Sequence, residues 1–568
     1  MPSEDRGKNR MANPEHVAIL QQGATRWNDW RKTKDGPSLD LSGADLRNRD
    51  LNGAGLRAVN LTNAVLRGTK FGKGSLLWNA NLSGADLYGA NLRGADLQDV
   101  NFSGADLFQA DLRESNLQGA DLSTAKGGLL SKQLAGADLT GAKLPEPLGK
   151  LYDSLSSVKE ISDSAQKLFL ALLAGCLYSW LTIAQTTDVE LITNRASTPL
   201  PIIQAAIPIV GFYVVAPLIL LCMYFYFHFY LQKLWEELGS LPAIFTDGRL
   251  LHNRTDPWLL NDLVRSHFVK LKDGRPFLSY FQAWVSVVLA WWLVPITLFL
   301  FWGRYLPRHD MLWTLMHAMI LSLCIVSAVR LYRLGARTLR GNERSVFTWK
   351  NVLKLRSTYV GSVLAFVPVV VLLATSLGSI LGARVWNPPA PNEERGWRTW
   401  VPKMMRIVGY SPFASLPNAD LSIKPADWIG NRDDELDRVK GASLNHSNLC
   451  YAWAPNAFMV KAQLEKSDLR RADLTSADLR QSNLIAADLT EAILVFADIK
   501  YADLRRATGV TPREIFLSHN WQLAFFDPDM LQQLGLPADH NEKLQKQMEA
   551  EQQAKAAPAA PTAPRPKP

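Results

Sequence analysis

Residues 83–107, SGADLYGANLRGADLQDVNFSGADL, place a large apolar residue at every fifth position: Leu87, Leu92, Leu97, Phe102 and Leu107. A period of five suits neither common element. Along an α-helix, five residues advance about 140° past a full turn, so the leucines would wind around the cylinder. Along a strand, odd spacing throws alternate leucines onto opposite faces. The small residue two positions before each centre resolves the conflict. If each pentapeptide is a short extended stretch closed by a tight turn, the centre and the residue two before it point the same way. Four such stretches make a square coil with leucines and alanines inside, and the next coil stacks about 4.8 Å further on. A large inner residue beside a small one fills a narrow tube, while the other three positions face water.

The pattern occupies two blocks. The first has centres from Leu41 to Phe71, slips by one residue before Leu82, and holds from there to Leu122. It closes with Leu139 and Leu144 after the insertion STAKGGLLSKQLAG. In the second, centres run from Leu444 to Leu504 without a missed step, each with Ala or Ser two residues earlier. ADLYGANLRGADL and SDLRRADLTSADLRQSNL resemble the pentapeptide-repeat family, whose motif reads A(D/N)Lxx. The resemblance implies a right-handed quadrilateral β-solenoid for each block. LQQGATRWNDWR before the first block and TPREIFLSHNWQLAFFDPDMLQQLGLP after the second also resemble the family's end caps. Such caps cover strand edges that an open solenoid leaves unpaired. Residues 13–32 read as one amphipathic capping helix, with Asn13 as the cap, Pro14 in the first turn and Val17, Leu20, Ala24 and Trp27 on one face.

The net charge of +9 and mean hydropathy of −0.05 blend polar ends with an apolar middle. Five apolar stretches, at about 168–184, 205–231, 281–302, 311–332 and 357–381, approach the ~20 residues a spanning helix needs. The segments after the second and fourth stretches are rich in Lys and Arg, while the opposite loops offer only Arg195, Arg304 and Arg308. The positive-inside rule then puts the N-terminus in the cytoplasm and, with five spans, the second block outside. The expected architecture is a membrane α-helical bundle of about five spans flanked by two right-handed quadrilateral β-solenoids. The expected domains are a leader and capping helix (1–38), first solenoid (39–145), juxtamembrane segment (146–167), transmembrane region (168–382), linker (383–440), second solenoid (441–508), capping helix (509–540) and a disordered Ala/Pro-rich tail (541–568). The apolar middle resembles bacterial membrane proteins that carry such repeats, which implies a multi-pass protein of the inner membrane.

No catalytic signature emerges, and no catalytic, cofactor-binding or metal-binding residue is assigned. FGKGS, residues 71–75, lacks P-loop spacing and reads as a turn at the register slip. Asp468, Asp473, Asp478 and Asp488 read as surface positions of a solenoid rather than an ion ladder. The four cysteines, Cys176, Cys222, Cys324 and Cys450, show no metal or redox spacing. His228 and His317 are ionisable groups inside apolar stretches, and Pro208, Pro217, Pro295 and Pro368 are candidate kinks. Together these features suggest two functions. One is a non-enzymatic, membrane-anchored scaffold whose partners are the bilayer and unidentified proteins, with no nucleic acid and no cofactor. The other is a channel or transporter with repeat domains attached.

Overall fold

The computed structural model describes residues 12–33, 39–146, 148, 151–195, 197–199, 206–255, 277–339, 370–374, 376, 412–430 and 433–556. They fall into two compact units. One comprises Met1–Ala174, Cys222–Leu293 and Ser327–Arg356; the other comprises Gly175–Leu221, Val294–Val326 and Ser357–Pro568.

In the first unit the chain opens with α1 (Pro14–Leu20) and α2 (Ala24–Lys32). Asn13 caps α1 by accepting from the Glu15 N–H, but the expected single helix breaks at Gly23, whose φ of 105° no helical residue adopts. Both halves still present one buried face, carrying Leu20 and Trp27. The coils follow. Leu41 N–H donates to the Asn60 carbonyl at 2.8 Å, and Asn60 N–H to the Leu39 carbonyl at 2.9 Å. This parallel pairing repeats every twenty residues, the length of four pentapeptides. Each corner is a four-residue turn. Ala44 N–H returns to the Leu41 carbonyl at 3.1 Å, and Gly43 has a φ of 68°, the left-handed third residue of a type II turn.

The register slip falls within residues 72–76, at FGKGS, and the first centre of the new register is the buried Leu77, ahead of Leu82. FGKGS is indeed a turn there. The tube also continues past the expected boundary at residue 145. Asp138 pairs in parallel with Ile244, and Leu139 N–H donates to the Ile244 carbonyl at 3.0 Å. A segment far along the chain thus supplies the next partner edge.

The upstream end is closed by a side chain acting as backbone. Asn28 Nδ2 donates to the Gly53 carbonyl at 2.8 Å, and its Oδ1 accepts from Gly55 N–H at 2.8 Å. Trp27 Nε1 donates to the Gly55 carbonyl at 2.9 Å. A Cβ at residue 55 would meet Asn28 Oδ1 at 3.2 Å, which accounts for glycine where most repeats carry Asp or Asn.

Four described helices are long and apolar enough to cross a membrane: Leu155–Gln185, Ile209–Gly239, Tyr280–Arg308 and Met311–Thr338. The first belongs to α3 (Leu151–Gln185), so helix begins inside the expected juxtamembrane segment and well before residue 168. After α4 (Asp188–Thr193) and a two-stranded pairing of Ser197–Pro199 with Ala206–Pro208 comes α5 (Ile209–Gly239), which contains Pro217. The short α6 (Leu251–Arg254) precedes the third span. That span joins α7 (Phe277–Val287), a π-helical turn (Val288–Trp292) and α8 (Leu293–Tyr305); α9 (Met311–Leu339) is the fourth. Pro208 ends a strand rather than kinking a span. The stretch at 357–381 lies outside the described residues except for helical turns at 370–374 and 376, and Pro368 lies outside them too.

In the second unit the coils begin earlier than residue 441. Ser415 pairs in parallel with Trp453 and Asp420 with Phe458, so residues 412–423, expected as linker, form part of the tube. The excursion that follows includes α10 (Asp433–Arg438) and packs Leu436 and Val439 against Phe458 and Val460 on the outside of the coils. From Leu444 to Leu504 the inner residues form one continuous core. Beyond it, α11 (Pro512–Phe516) starts with a Thr511/Glu514 capping box, and α12 (Pro528–Gln533) follows. The expected disordered tail is corrected as far as residue 556 by α13 (His540–Ala556), which buries Leu544 and closes the downstream end; residues 557–568 lie outside the described residues. Asn541 Nδ2 donates to the Phe526 carbonyl at 2.8 Å, and its Oδ1 accepts from Phe526 N–H at 3.3 Å. Asparagine thus completes the backbone pairing at the outer end of each solenoid.

Candidate functional site

The motif's Asp or Asn has a local task that the period alone did not reveal. Oδ1 of Asp468, Asp473, Asp478 and Asp488 accepts from the backbone N–H two residues on, at 3.0–3.3 Å. Each carboxylate therefore pins its own turn, as short acceptor side chains do. Arg470 and Arg480 then bond the same carboxylates from the side. The row is a set of turn clasps, as the surface reading of these residues implied, with Arg470–Asp468 partly exposed and Arg480–Asp478 mostly covered.

What the coils leave outside is more selective. In the first solenoid, Arg47, Arg67, Tyr88 and Phe108 each follow a buried centre and fall on one face of successive coils, because Asp45, Val65, Asp86 and Asp106 pair in sequence. The Arg67 guanidinium lies 5.3 Å from the Tyr88 ring centre, and Tyr88 stacks on Phe108 at 5.5 Å. Both rings are well exposed, Phe108 at 44%. On another face Arg57 lies over the exposed Trp78 at 5.6 Å. A five-residue reading hides these ladders; reading the sequence in steps of twenty would expose them.

The second solenoid is tied to helix connections within its own unit. Asp188 bonds Arg304, and its Oδ2 accepts from Ser415 N–H at 2.7 Å; both ionic side chains are largely buried. Arg304 also donates to the Thr186 carbonyl at 2.6 Å, while Val189 and Ile192 pack on the solenoid core. His309 is buried in a left-handed backbone conformation, with Nδ1 3.1 Å from the Asn448 carbonyl and Nε2 2.8 Å from that of Pro412. Burial lowers its pKa from the ordinary imidazole value, against the opposite pull of both carbonyls and Asp468.

The two span histidines differ. His317 places Nε2 2.8 Å from the Tyr213 carbonyl and Nδ1 2.7 Å from that of Trp313, bridging two helices. His228 sits among Tyr224, Phe227 and Trp291, and Trp291 also stacks on Trp235. His228 Nε2, Trp235 Nε1 and Trp291 Nε1 are buried without a hydrogen-bond partner. The π-helical turn has a local cause: Pro295 has no N–H to give the Trp291 carbonyl, which instead accepts from the Tyr224 hydroxyl at 3.3 Å.

The cysteines are unpaired, with Cys176, Cys324 and Cys450 buried. Burial pushes the Cys450 thiol up to about 12. Among the described residues, no group of three or more His, Cys, Asp or Glu is placed to hold a metal ion.

Comparison with known proteins matches this geometry. The model of the family described as pentapeptide repeats matches residues 40–76, 73–104, 105–126, 442–481 and 472–508, in eight copies. The two coil blocks are pentapeptide repeats. Similar solved structures include a pentapeptide repeat protein from the thylakoid lumen of Arabidopsis thaliana. It is 31% identical over 20% of this chain and 76% of its own, with a TM-score of 0.18. One from Nostoc is 27% identical over 24% of this chain and 99% of its own, with a TM-score of 0.17. HetL, a Nostoc protein involved in regulating heterocyst differentiation, is 31% identical over 19% and 56% respectively, with a TM-score of 0.12. No curated protein matches the chain.

Proposed function

We propose that the protein is a non-enzymatic, membrane-anchored scaffold of the bacterial inner membrane that presents solenoid faces to other proteins. The observation that carries this is the exposed arginine–aromatic ladder of Arg47, Arg67, Tyr88 and Phe108, since rings of that size on a rigid, otherwise polar tube are typical of interaction surfaces. In this reading the chain spans five times, with the first repeats cytoplasmic and the second repeats on the outer side. Loop charge supports that orientation. An impermeant thiol reagent tests this on Ile493→Cys in a Cys222→Ser, Cys450→Ala background. Labelling in intact cells is expected, and labelling only after permeabilisation would require an even span count. Co-purification after crosslinking tests the scaffold role, and the absence of any specific partner would remove it.

A channel or transporter is the second reading, favoured by the three unpartnered ring nitrogens around Trp291 beside a π-helical turn. Ion or solute flux in reconstituted liposomes that is lost in His228→Leu would establish it over the scaffold.

A further inference from the structure

The first solenoid is neutral as a whole but polarised along its axis. Residues 12–76, the cap and first two coils, carry ten Lys or Arg against six Asp or Glu; residues 77–146 carry five against nine. The centres of the two halves lie about three coils apart, roughly 14 Å at the spacing of paired strands. That exceeds the ~10 Å screening length at 0.1 M salt, so the opposed fields do not erase each other. The ladder of Arg47, Arg67, Tyr88 and Phe108 runs from the basic half into the acidic one. Its arginines are partly neutralised by Asp45 and Asp86, so the basic excess rests on neighbours such as the exposed Arg49, Lys70 and Lys73.

We propose that this face binds an extended protein segment with acidic residues at one end and an aromatic or aliphatic residue about four to five positions away. That spacing follows from the three coil steps between Arg47 and Phe108, roughly 14 Å, at about 3.3 Å per extended residue. The acidic end lies over Arg49, at the first coil, and Lys70, which stands beside Asp50 in the row adjoining the ladder, and the apolar end covers the exposed face of Phe108. A nucleic acid fits poorly, because Tyr88 and Phe108 stack on each other and leave no gap for bases, and Asp86 and Asp106 would repel a uniform row of phosphates. An anionic bilayer meets the same repulsion.

The assignment rests on the scaffold reading, and full-length protein in phosphatidylcholine nanodiscs tests it. The probe is a fluorescent peptide of four glutamates, a short spacer and two phenylalanines. Binding should weaken at least tenfold in Arg49→Glu/Lys70→Glu and severalfold in Phe108→Ser, persist in Phe108→Tyr, and fall with added salt. All variants should melt like the wild type, because every changed side chain is exposed. Equal binding of the matching lysine peptide would overturn the proposal. So would tighter binding of oligothymidylate or phosphatidylserine vesicles with the same variant dependence. If the peptide does not bind but one cellular partner crosslinks equally to wild type and variants, the scaffold stands and this face is the wrong site. If nothing binds or crosslinks, both fall.

Discussion

Leu474, 1% exposed, shows how much a single position of the motif carries. Truncation to alanine would lose apolar contact and leave a void in a narrow tube, costing about 3 kcal/mol. Leu474→Asp should cost more, since it buries a charge with no partner. Ile493→Asp on the outer wall, 45% exposed, should shift stability by less than about 0.5 kcal/mol. Thermal melts of the purified protein separate the three, and equal melts would refute the inward assignment of the leucines. The turn position is equally specific. Gly104 has a φ of 71° with no close neighbour, so Gly104→Ala should cost about 1 kcal/mol through backbone strain alone. The second block meets the same strain at every turn from His446 to Arg506 with non-glycine residues. There the stacked pairing and Asx clasps on both sides overrule local preference.

At the level of elements, the caps decide whether the stacked coils end cleanly. Trp27 fills the upstream end and Asn28 supplies two bonds to the edge, so Trp27→Ala should cost about 4 kcal/mol and expose the first coil. Hydrogen exchange should report this as lost protection concentrated in residues 39–61. The tether at His309 carries a pH dependence. Its folded pKa lies below the unfolded value of 6.5, so the folded protein binds that proton less readily than the unfolded chain. The contribution of the tether is therefore full above pH 6.5 and declines as pH falls below it, by up to about 1.4 kcal/mol per unit. His309→Gln should flatten melting temperature between pH 7.5 and 5 relative to wild type.

For the whole molecule, the membrane assignment and the solenoids are separable. Four described helices are long and apolar enough to cross a membrane by length and composition alone, whereas the solenoids follow from the repeat. Cys450 would be a poor reporter of orientation despite lying in the second repeats, because it is buried and its thiol is pushed up to about 12. It should resist thiol reagents from either side until the tube unfolds, while Ile493→Cys reacts readily. Labelling of Cys450 in the folded protein would contradict the packing of that coil.

Much of this was legible along the chain because a five-residue repeat encodes its own structure. The large centre, the small partner two before it and the Asp or Asn between them determine coil, core and turn within ten residues. The four long apolar helices were readable for the same local reason, while the fifth expected stretch lies almost wholly outside the described residues. What lay beyond the sequence needed distant contacts. Residues 541–556 group by sequence with an Ala/Pro-rich tail expected to be disordered, and they are helical because Asn541 and Leu544 meet the open end of the tube. Residues 412–423 and 243–245 do spell the repeat, as Ala414–Ser415–Leu416, Ala419–Asp420–Leu421 and Ala243–Ile244–Phe245, but they stand apart from the two blocks, and only the bridges across the coils join them to the tubes. The arginine–aromatic ladder likewise exists only once four repeats close into a coil, bringing residues twenty apart to stacking distance. Period five settled the tube, and only the closed coil decided which side chains meet on its surface.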